Sequence, residues 1–162
     1  MSDPTKPNRT KMATASDFVM TPANLAELII NRLPLKGLCL EPCRGTGNIY
    51  ERLPKPKDWC EITDGRDFFS YHRQVDWIVT NPPYSIYNSF LRHAFDLAAH
   101  VVFLAPLTKA FKSMSTERIV VRYGGLRQIV LLGSGRECGF AFGFPVGLLH
   151  YERGYHGPID YD

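Results

Sequence analysis

The sequence predicts an α/β fold in which helices cover a doubly wound, mostly parallel sheet that ends in an antiparallel hairpin. Three observations favour this fold. Short apolar runs alternate with helical stretches, and strand–helix–strand repetition requires crossover connections. Most of the runs are apolar at consecutive positions, as in strands buried on both faces. Near the end, two apolar runs flank a Gly-rich loop without helical period, which is typical of a hairpin.

The predicted elements follow one another along the chain. Strands are predicted at Leu38–Leu40, Trp59–Ile62, Val75–Val79, Val101–Leu104 and Ile129–Leu132. Helices are predicted at Gly47–Leu53, Ile86–Ala99 and Thr108–Tyr123. A first helix is expected to have the Thr21 hydroxyl as N-cap and Pro22 in its first turn, and to end at Pro34. The closing hairpin pairs Leu126–Leu132 with Val146–Tyr151.

Composition limits the class of protein. The 162 residues are 44% hydrophobic, which is enough for the core of one domain, predicted over residues 16–162. Residues 1–15 predict a flexible basic arm, and the net charge of +3 weakly favours a polyanionic partner. The four cysteines lack metal-ligand spacing, so buried thiols and no metal site are expected. No apolar run approaches the roughly 18 residues of a membrane span, which predicts a cytoplasmic protein without a membrane partner.

A glycine turn follows the first predicted strand, in the sequence Glu41-Pro42-Cys43-Arg44-Gly45-Thr46-Gly47. Ligands bind at the carboxyl ends of strands in an open α/β sheet, so this turn is a candidate site. Gly45 and Gly47 let a ligand approach the backbone, and Glu41 can accept hydrogen bonds from an ammonium or a hydroxyl. Tyr50 replaces the third glycine of the dinucleotide fingerprint, which disfavours nicotinamide binding. An ordinary turn is the alternative.

Two acids downstream are candidates for nucleoside contacts. Glu61 follows the second predicted strand, where nucleoside-binding α/β folds commonly place a carboxylate on ribose hydroxyls. Asp67 can accept from an adenine amino group, with Phe68 as an aromatic wall beside the ring. A solvated surface acid and structural aromatics under a loop are the alternatives.

The most specific motif is Asn81-Pro82-Pro83-Tyr84, which directly follows an apolar strand. The two prolines restrict the backbone, so its carbonyls are rigid acceptors. An aromatic amine is a poor nucleophile because its lone pair is delocalised into the ring. If the Asn81 side-chain oxygen and the Pro82 carbonyl accept both amino hydrogens, the nitrogen becomes tetrahedral and can react, while Tyr84 stacks on the base. A rigid turn or a polyproline ligand is the alternative.

Together these residues resemble the amino-group DNA methyltransferases, which methylate adenine at N6 or cytosine at N4. The resemblance covers Phe18 to about Tyr155 and implies a Rossmann-like class I methyltransferase fold, S-adenosylmethionine as methyl donor and adenine in DNA as substrate. It assigns Asn81, Pro82, Pro83 and Tyr84 to catalysis. It assigns to the cofactor Phe18, Met20, Thr21, Pro22, Glu41, Pro42, Gly45, Gly47, Glu61, Asp67, Phe68 and Asn81.

The sequence also departs from the family pattern. Glu41 stands where the family more often has Asp. Only residues 62–74 separate Glu61 from Val75, too few for the usual helix and full strand, so the third strand is expected to be vestigial. No insert is long enough for a target-recognition domain, which predicts short or no sequence specificity, in a compact form similar to those of phages and mobile elements.

Phosphate contacts are expected from two basic regions. Lys109 and Lys112 follow the fourth predicted strand, and Lys6, Arg9 and Lys11 lie in the arm. Each is also compatible with a plain solvated charge. Three other functions remain open: methylation of an adenine or guanine amino group in RNA, methylation of a glutamine amide in a protein, and binding without catalysis.

Overall fold

The computed structural model describes residues 17–162, which contain one seven-stranded sheet. The strands are β1 Cys39–Glu41, β2 Lys57–Trp59, β3 Val75–Thr80, β4 Ala98–Pro106, β5 Gly124–Ser134, β6 Pro145–Arg153 and β7 Asp160–Tyr161. The α-helices are α1 Ala23–Arg32, α2 Asn48–Arg52, α3 Tyr87–Leu97 and α4 Met114–Tyr123. None of these helices is long and apolar enough to span a membrane. The predicted basic arm, with Lys6, Arg9 and Lys11, lies outside the described residues.

The strand order is β2-β1-β3-β4-β6-β5-β7. Neighbouring strands are parallel except at β6, which runs antiparallel to both β4 and β5. The predicted doubly wound, mostly parallel sheet with a closing hairpin is therefore confirmed. The chain passes from β1 to β2 on one side and continues to β3 on the other side of β1. Ligands bind at such a switch point, outside the carboxyl ends of β1 and β3.

Both faces of the sheet are buried, because successive strand residues point to opposite sides. Leu40 and Ile78 belong to the core that packs under α3 and α4. Cys39 and Trp77, each one position earlier, belong to the core that α1 and α2 cover. Two-sided burial explains why these strands are apolar at consecutive positions. Packing on both faces also holds in place the ends of β1 and β3, which carry the candidate site.

The first helix does not begin as predicted. Pro22, rather than Thr21, is the N-cap of α1, and no side chain caps the first turn. The Thr21 hydroxyl instead lies 3.4 Å from Asn81 Nδ2. The Thr21 hydroxyl therefore serves a tertiary contact, which local capping preferences cannot reveal.

The edge strands also differ from the prediction. β2 ends at Trp59 and does not reach Ile62, because its short partner β1 ends at Glu41, opposite Trp59. Between Trp59 and Val75 the described chain forms 3₁₀ turns and no strand, in agreement with the expected loss of the family's third strand. At the other edge, the two-residue strand β7 was not predicted.

The fourth helix is shorter than predicted. The sequence predicts it from Thr108, but α4 begins at Met114. The Ser113 hydroxyl accepts a hydrogen bond from Thr116 N at 3.3 Å and caps the helix there. The Ser113 cap therefore sets the start of α4 at Met114, later than the start that helical periodicity predicts.

Candidate active site

A cleft opens at the carboxyl ends of β1 and β3. Three segments form its walls: residues 19–21 before α1, the turn and helix start at 41–49, and Asn81 after β3. The lining residues are Val19, Met20, Thr21, Glu41, Cys43, Arg44, Gly45, Thr46, Asn48, Ile49 and Asn81. The fold thus brings together three motifs that are distant in the sequence.

Glu41, the last residue of β1, is buried with 2% of its surface exposed. Its Oε2 atom has no hydrogen-bond partner among the described residues. Burial is the main cause that raises the pKa of this carboxyl to about 9, against the lowering effect of the Tyr50 backbone N–H. Nearby Glu61 raises the pKa and Arg44 lowers it. A buried acceptor without a partner can be satisfied by an ammonium or hydroxyl group of a ligand.

Two glycines shape the turn after β1. Gly45 has a φ of 53° and Gly47 a φ of 90°, conformations that L side chains rarely adopt. A β-carbon at Gly45 would lie 2.9 Å from Met20 Sδ, so the missing side chain also admits Met20. Glu61 Oε2 accepts a hydrogen bond from Gly45 N at 2.8 Å, and its Oε1 accepts one from Thr63 Oγ1 at 3.0 Å. The acid predicted to bind ribose therefore holds the glycine turn.

The Asn81 amide is held in one orientation. Its Nδ2 donates to the Val19 carbonyl at 3.1 Å and lies 3.4 Å from the Thr21 hydroxyl. A backbone carbonyl only accepts, so the NH₂ group must face Val19 and Oδ1 must face the other way. Oδ1 accepts a hydrogen bond from the Tyr84 hydroxyl at 2.9 Å. An amide oxygen has two lone pairs, so this bond leaves capacity for one further donor.

Tyr84 is fixed at both its main chain and its side chain. Lys109 Nζ donates to the Tyr84 carbonyl at 2.8 Å, and the Tyr84 ring lies edge-on to Phe142 with centroids 6.3 Å apart. Burial raises the pKa of the Tyr84 hydroxyl, so it remains a donor to Asn81 at neutral pH. Burial and then the neighbouring Lys112 lower the pKa of Lys109. In this structure Lys109, a predicted phosphate contact, positions the tetrapeptide.

Other predicted site residues do not line the cleft. Phe68 is 3% exposed and packs on Phe90 with ring centroids 4.5 Å apart. The Asp67 carboxylate accepts a hydrogen bond from Phe69 N at 3.0 Å and caps a 3₁₀ turn. Phe18 is half exposed at the start of the segment that carries Val19. Pro42, Gly47, Pro82 and Pro83 are buried in the segments that carry lining residues.

Sequence reasoning missed two residues that connect these segments. Asn48 Nδ2 donates to the Thr21 carbonyl at 2.8 Å, which joins α2 to the segment before α1. The Asp17 carboxylate accepts from Ser85 N at 3.0 Å and from Ser85 Oγ at 2.6 Å, just after the tetrapeptide. Their partners lie 27 and 68 positions away, so no local pattern marks these contacts.

Comparison with known proteins gives structural likeness without sequence relatives. No protein-family model matches the chain, and no curated protein does. A solved structure from Vibrio vulnificus YJ016, named as a modification subunit of a type I restriction enzyme, superposes with a TM-score of 0.65 at 18% identity. The match covers 92% of this chain and 47% of that one, so the chain spans about half its length.

Two further solved structures have the same architecture. A protein from Listeria monocytogenes, named as a class I S-adenosylmethionine-dependent methyltransferase, gives a TM-score of 0.67 at 12% identity, over 91% of this chain and 66% of that one. A protein from Pyrococcus horikoshii, named as an RNA methyltransferase, gives 0.59 at 13% identity, over 81% and 83%. The chain therefore has the Rossmann-like fold of class I S-adenosylmethionine-dependent methyltransferases.

Proposed function

We propose that this protein transfers a methyl group from S-adenosylmethionine to the exocyclic amino group of adenine in DNA, with short or no sequence specificity. The observation that carries the proposal is the pairing of two groups at one cleft. One is the Asn81 amide, whose oxygen is oriented as an acceptor, and the other is the buried Glu41 carboxyl, whose Oε2 has no partner among the described residues. The first suits a planar amine, and the second suits a cationic ligand.

The residues around the glycine turn fit the methyl donor. The Glu41 carboxyl is an acceptor for its ammonium or hydroxyl groups, and ionisation of this acid is favoured once a cation lies beside it. Gly45 and Met20 both line the cleft, where Met20 Sδ packs against the side of Gly45 that has no β-carbon. When bound, S-adenosylmethionine supplies a methyl group activated by its positively charged sulfur.

The tetrapeptide supplies the positioning of the amine. Asn81 Oδ1 accepts one amino hydrogen with its remaining lone pair, and the Pro82 carbonyl accepts the other. The nitrogen would then be tetrahedral, with its lone pair free to attack the methyl group of a bound donor. Such orientation saves roughly 7–11 kcal/mol of the barrier in well-placed reactants. Asn81 is neutral and does not keep the proton, which leaves to water.

Tyr84 supports the base as well as the amide. Its hydroxyl holds Asn81 Oδ1, and its ring offers an aromatic surface for stacking. A base in a duplex must leave the helix at a cost of a few kcal/mol, and one aromatic stack contributes roughly 1–3 kcal/mol. Lys109 bonds to the Tyr84 carbonyl, and Lys112 lies beside Lys109. Both lysines are therefore close to the tetrapeptide, where they can contact phosphates of the substrate.

RNA is the second candidate substrate, because its exocyclic amines pose the same chemical problem. Some structural neighbours are named as subunits of DNA-modifying restriction systems, and others as RNA methyltransferases. A glutamine amide in a protein is a third candidate for the same planar-amine chemistry. We favour DNA because the sequence motifs resemble the amino-group DNA methyltransferases from Phe18 to about Tyr155.

The test is incubation with isotopically labelled S-adenosylmethionine and DNA, RNA or a protein mixture, followed by mass analysis of digested nucleosides and peptides. Labelled N6-methyladenine from DNA is expected, distributed over short or unrelated sequence contexts. Label found only in RNA, or only in glutamine side chains, would show that RNA or protein is the substrate instead of DNA. Strict modification of one long DNA motif would contradict the proposed low specificity.

A further inference from the structure

The loop between β5 and β6 carries a ladder of stacked aromatic rings. It is formed by Phe140, Phe142 and Phe144, which alternate with Ala141 and Gly143. The ring centroids of Phe140 and Phe142 are 5.1 Å apart with an interplanar angle of 17°. Those of Phe142 and Phe144 are 4.1 Å apart at 7°. Phe142 is the middle ring, since it stacks on both of the others.

The ladder borders the candidate active site. The Phe142 ring lies edge-on to Tyr84 with centroids 6.3 Å apart, so the middle of the stack lies beside the Asn81–Tyr84 tetrapeptide. On the same loop, Gly139 lies against Pro22, because a β-carbon at Gly139 would be 3.0 Å from the Pro22 ring. The loop therefore packs on the N-terminal segment that orients Asn81.

The ladder is preformed. Gly135 N donates to the Phe144 carbonyl at 2.9 Å, and Phe140 N donates to the Gly135 carbonyl at 2.8 Å. A β-carbon at Gly135 would lie 2.3 Å from the Phe142 ring, so only glycine lets this ring pack on the backbone. Because the rings are held before any ligand arrives, stacking on them costs little further ordering of the protein.

The ladder runs from the core to solvent. Phe140 is 6% exposed, whereas Phe144 at the other end is 43% exposed and has no ring beyond it in the described chain. The guanidinium of Arg136 lies 3.8 Å from where a β-carbon at Gly143 would be, so it lies against the loop backbone between Phe142 and Phe144. An exposed aromatic face next to a cation is the combination that binds single-stranded nucleic acid, by base stacking and phosphate contact.

We propose that the outer face of Phe144 stacks a nucleotide base next to the target base, with Arg136 on its phosphate. This inference rests on the proposed function, and it names an unpaired strand as the preferred substrate. A neighbouring base in a duplex stays paired and stacked on its other neighbour, so it reaches Phe144 only at an added cost of unpairing, which an unpaired strand does not have. The site is tolerant of sequence, since every base has a face that can stack.

The test measures binding of fluorescent oligonucleotides that contain one adenine, as single strands and as matched duplexes. Phe144→Ala is compared with wild type and with Tyr161→Ala, a control that removes another exposed aromatic at the far edge strand. Two further single strands lack the base on the 5′ or the 3′ side of the adenine. Thermal unfolding and calorimetric uptake of S-adenosylmethionine check that each variant remains folded and binds the donor.

We expect wild type to bind the single strand more tightly than the duplex. Phe144→Ala should weaken single-strand binding by about 5- to 150-fold, the range for loss of one aromatic stack, and Phe144→Trp should restore it. The loss should disappear on one of the two strands that lack a flanking base. Tyr161→Ala should bind as wild type does.

Equal binding by Phe144→Ala and wild type, or a loss that is the same on every strand, would overturn the stacking site. Preference for the duplex would overturn the unpaired substrate. Either result together with normal uptake of S-adenosylmethionine leaves the proposed methyl transfer intact. A wild-type protein that stacks the flanking base but takes up no S-adenosylmethionine would instead refute the proposed function.

Discussion

Glu41 and Asn81 stand at the ends of adjacent parallel strands, yet their side chains are supported differently. The Asn81 amide has partners on both its nitrogen and its oxygen, supplied by the segment before α1 and by Tyr84. The Glu41 carboxyl is more deeply buried, and its Oε2 has no partner among the described residues. At Asn81 the protein itself supplies the hydrogen-bond partners. At Glu41 one oxygen lacks a donor, which a ligand can supply.

The two side chains are therefore expected to contribute differently, Asn81 to the rate of transfer and Glu41 to stability and donor binding. A side chain fixed before binding lowers the barrier by orientation, so its loss should appear mainly in the rate. A buried acid with one unpartnered oxygen destabilises the folded protein when it is ionised, and a cation bound beside it relieves that cost. Substitutions of the two side chains should therefore affect different measurements.

The largest effect is expected at Asn81. Asn81→Ala removes the oriented acceptor, and single-turnover methyl transfer should fall by about 10²- to 10³-fold, as for loss of one preorganised hydrogen-bonding group. Rapid-quench measurement at saturating donor and substrate isolates this step. Wild-type rates in Asn81→Ala would remove the amide from the mechanism, whatever the substrate.

Glu41→Gln is expected to stabilise the protein while weakening donor binding. The pKa of this carboxyl is raised from 4.5 to about 9 in the folded state, so the folded protein holds the proton more firmly than the unfolded chain. Its contribution to stability is complete below pH 4.5 and is lost as the pH rises toward 9. Removing the acid should raise the free energy of unfolding by about 3 kcal/mol at pH 7 and less at pH 5.

Denaturant unfolding at several pH values measures this difference. Glu27→Gln is the control, because Glu27 is exposed on α1 and its replacement should change stability by less than about 0.5 kcal/mol. A Glu41→Gln protein that is less stable than wild type at pH 7 would show that a protein contact satisfies the carboxyl. The contrast with Asn81 would then fail.

The smallest effect is expected from Tyr84→Phe, which keeps the ring and removes the hydroxyl bond to Asn81. One neutral hydrogen bond is worth about 1 kcal/mol, so the transfer rate should fall about 5- to 10-fold with little change in base binding. Tyr87→Phe is a matched control, since its hydroxyl pairs with Tyr151 at 2.9 Å in the core. That variant should lose stability but not rate, and a similar rate loss in both would indicate a general packing effect.

The fold could be predicted because its strands are buried on both faces, and this burial is visible as consecutive apolar residues such as Trp77, Ile78 and Val79. Two of the boundaries that failed depend on contacts with other segments of the chain. β2 stops where the short β1 stops, and the first turn of α1 gives up the Thr21 cap to a contact with Asn81. The Thr21–Asn81 contact joins positions 60 residues apart, beyond the reach of local patterns.

The positions of some candidate site residues could also be predicted from the strands. Glu41, Gly45 and Asn81 line one cleft because Glu41 ends β1, Gly45 lies in the turn after it and Asn81 follows β3, and strand ends meet at one edge of a parallel sheet. The burial of Phe68 in the core and the use of Glu61 to hold the glycine turn depend on loop paths that the sequence leaves open. The alternating phenylalanines at 140, 142 and 144 were a visible signal whose place beside Tyr84 required the structure.

Titration calorimetry with S-adenosylmethionine tests the central contrast most directly. At pH 7, in two buffers of different ionisation enthalpy, wild type should bind the donor and release close to one proton, because the Glu41 carboxyl ionises beside the donor's cationic group. Glu41→Gln should bind more weakly and release none. Absence of binding to the folded wild-type protein, or identical proton release by the variant, would contradict the account.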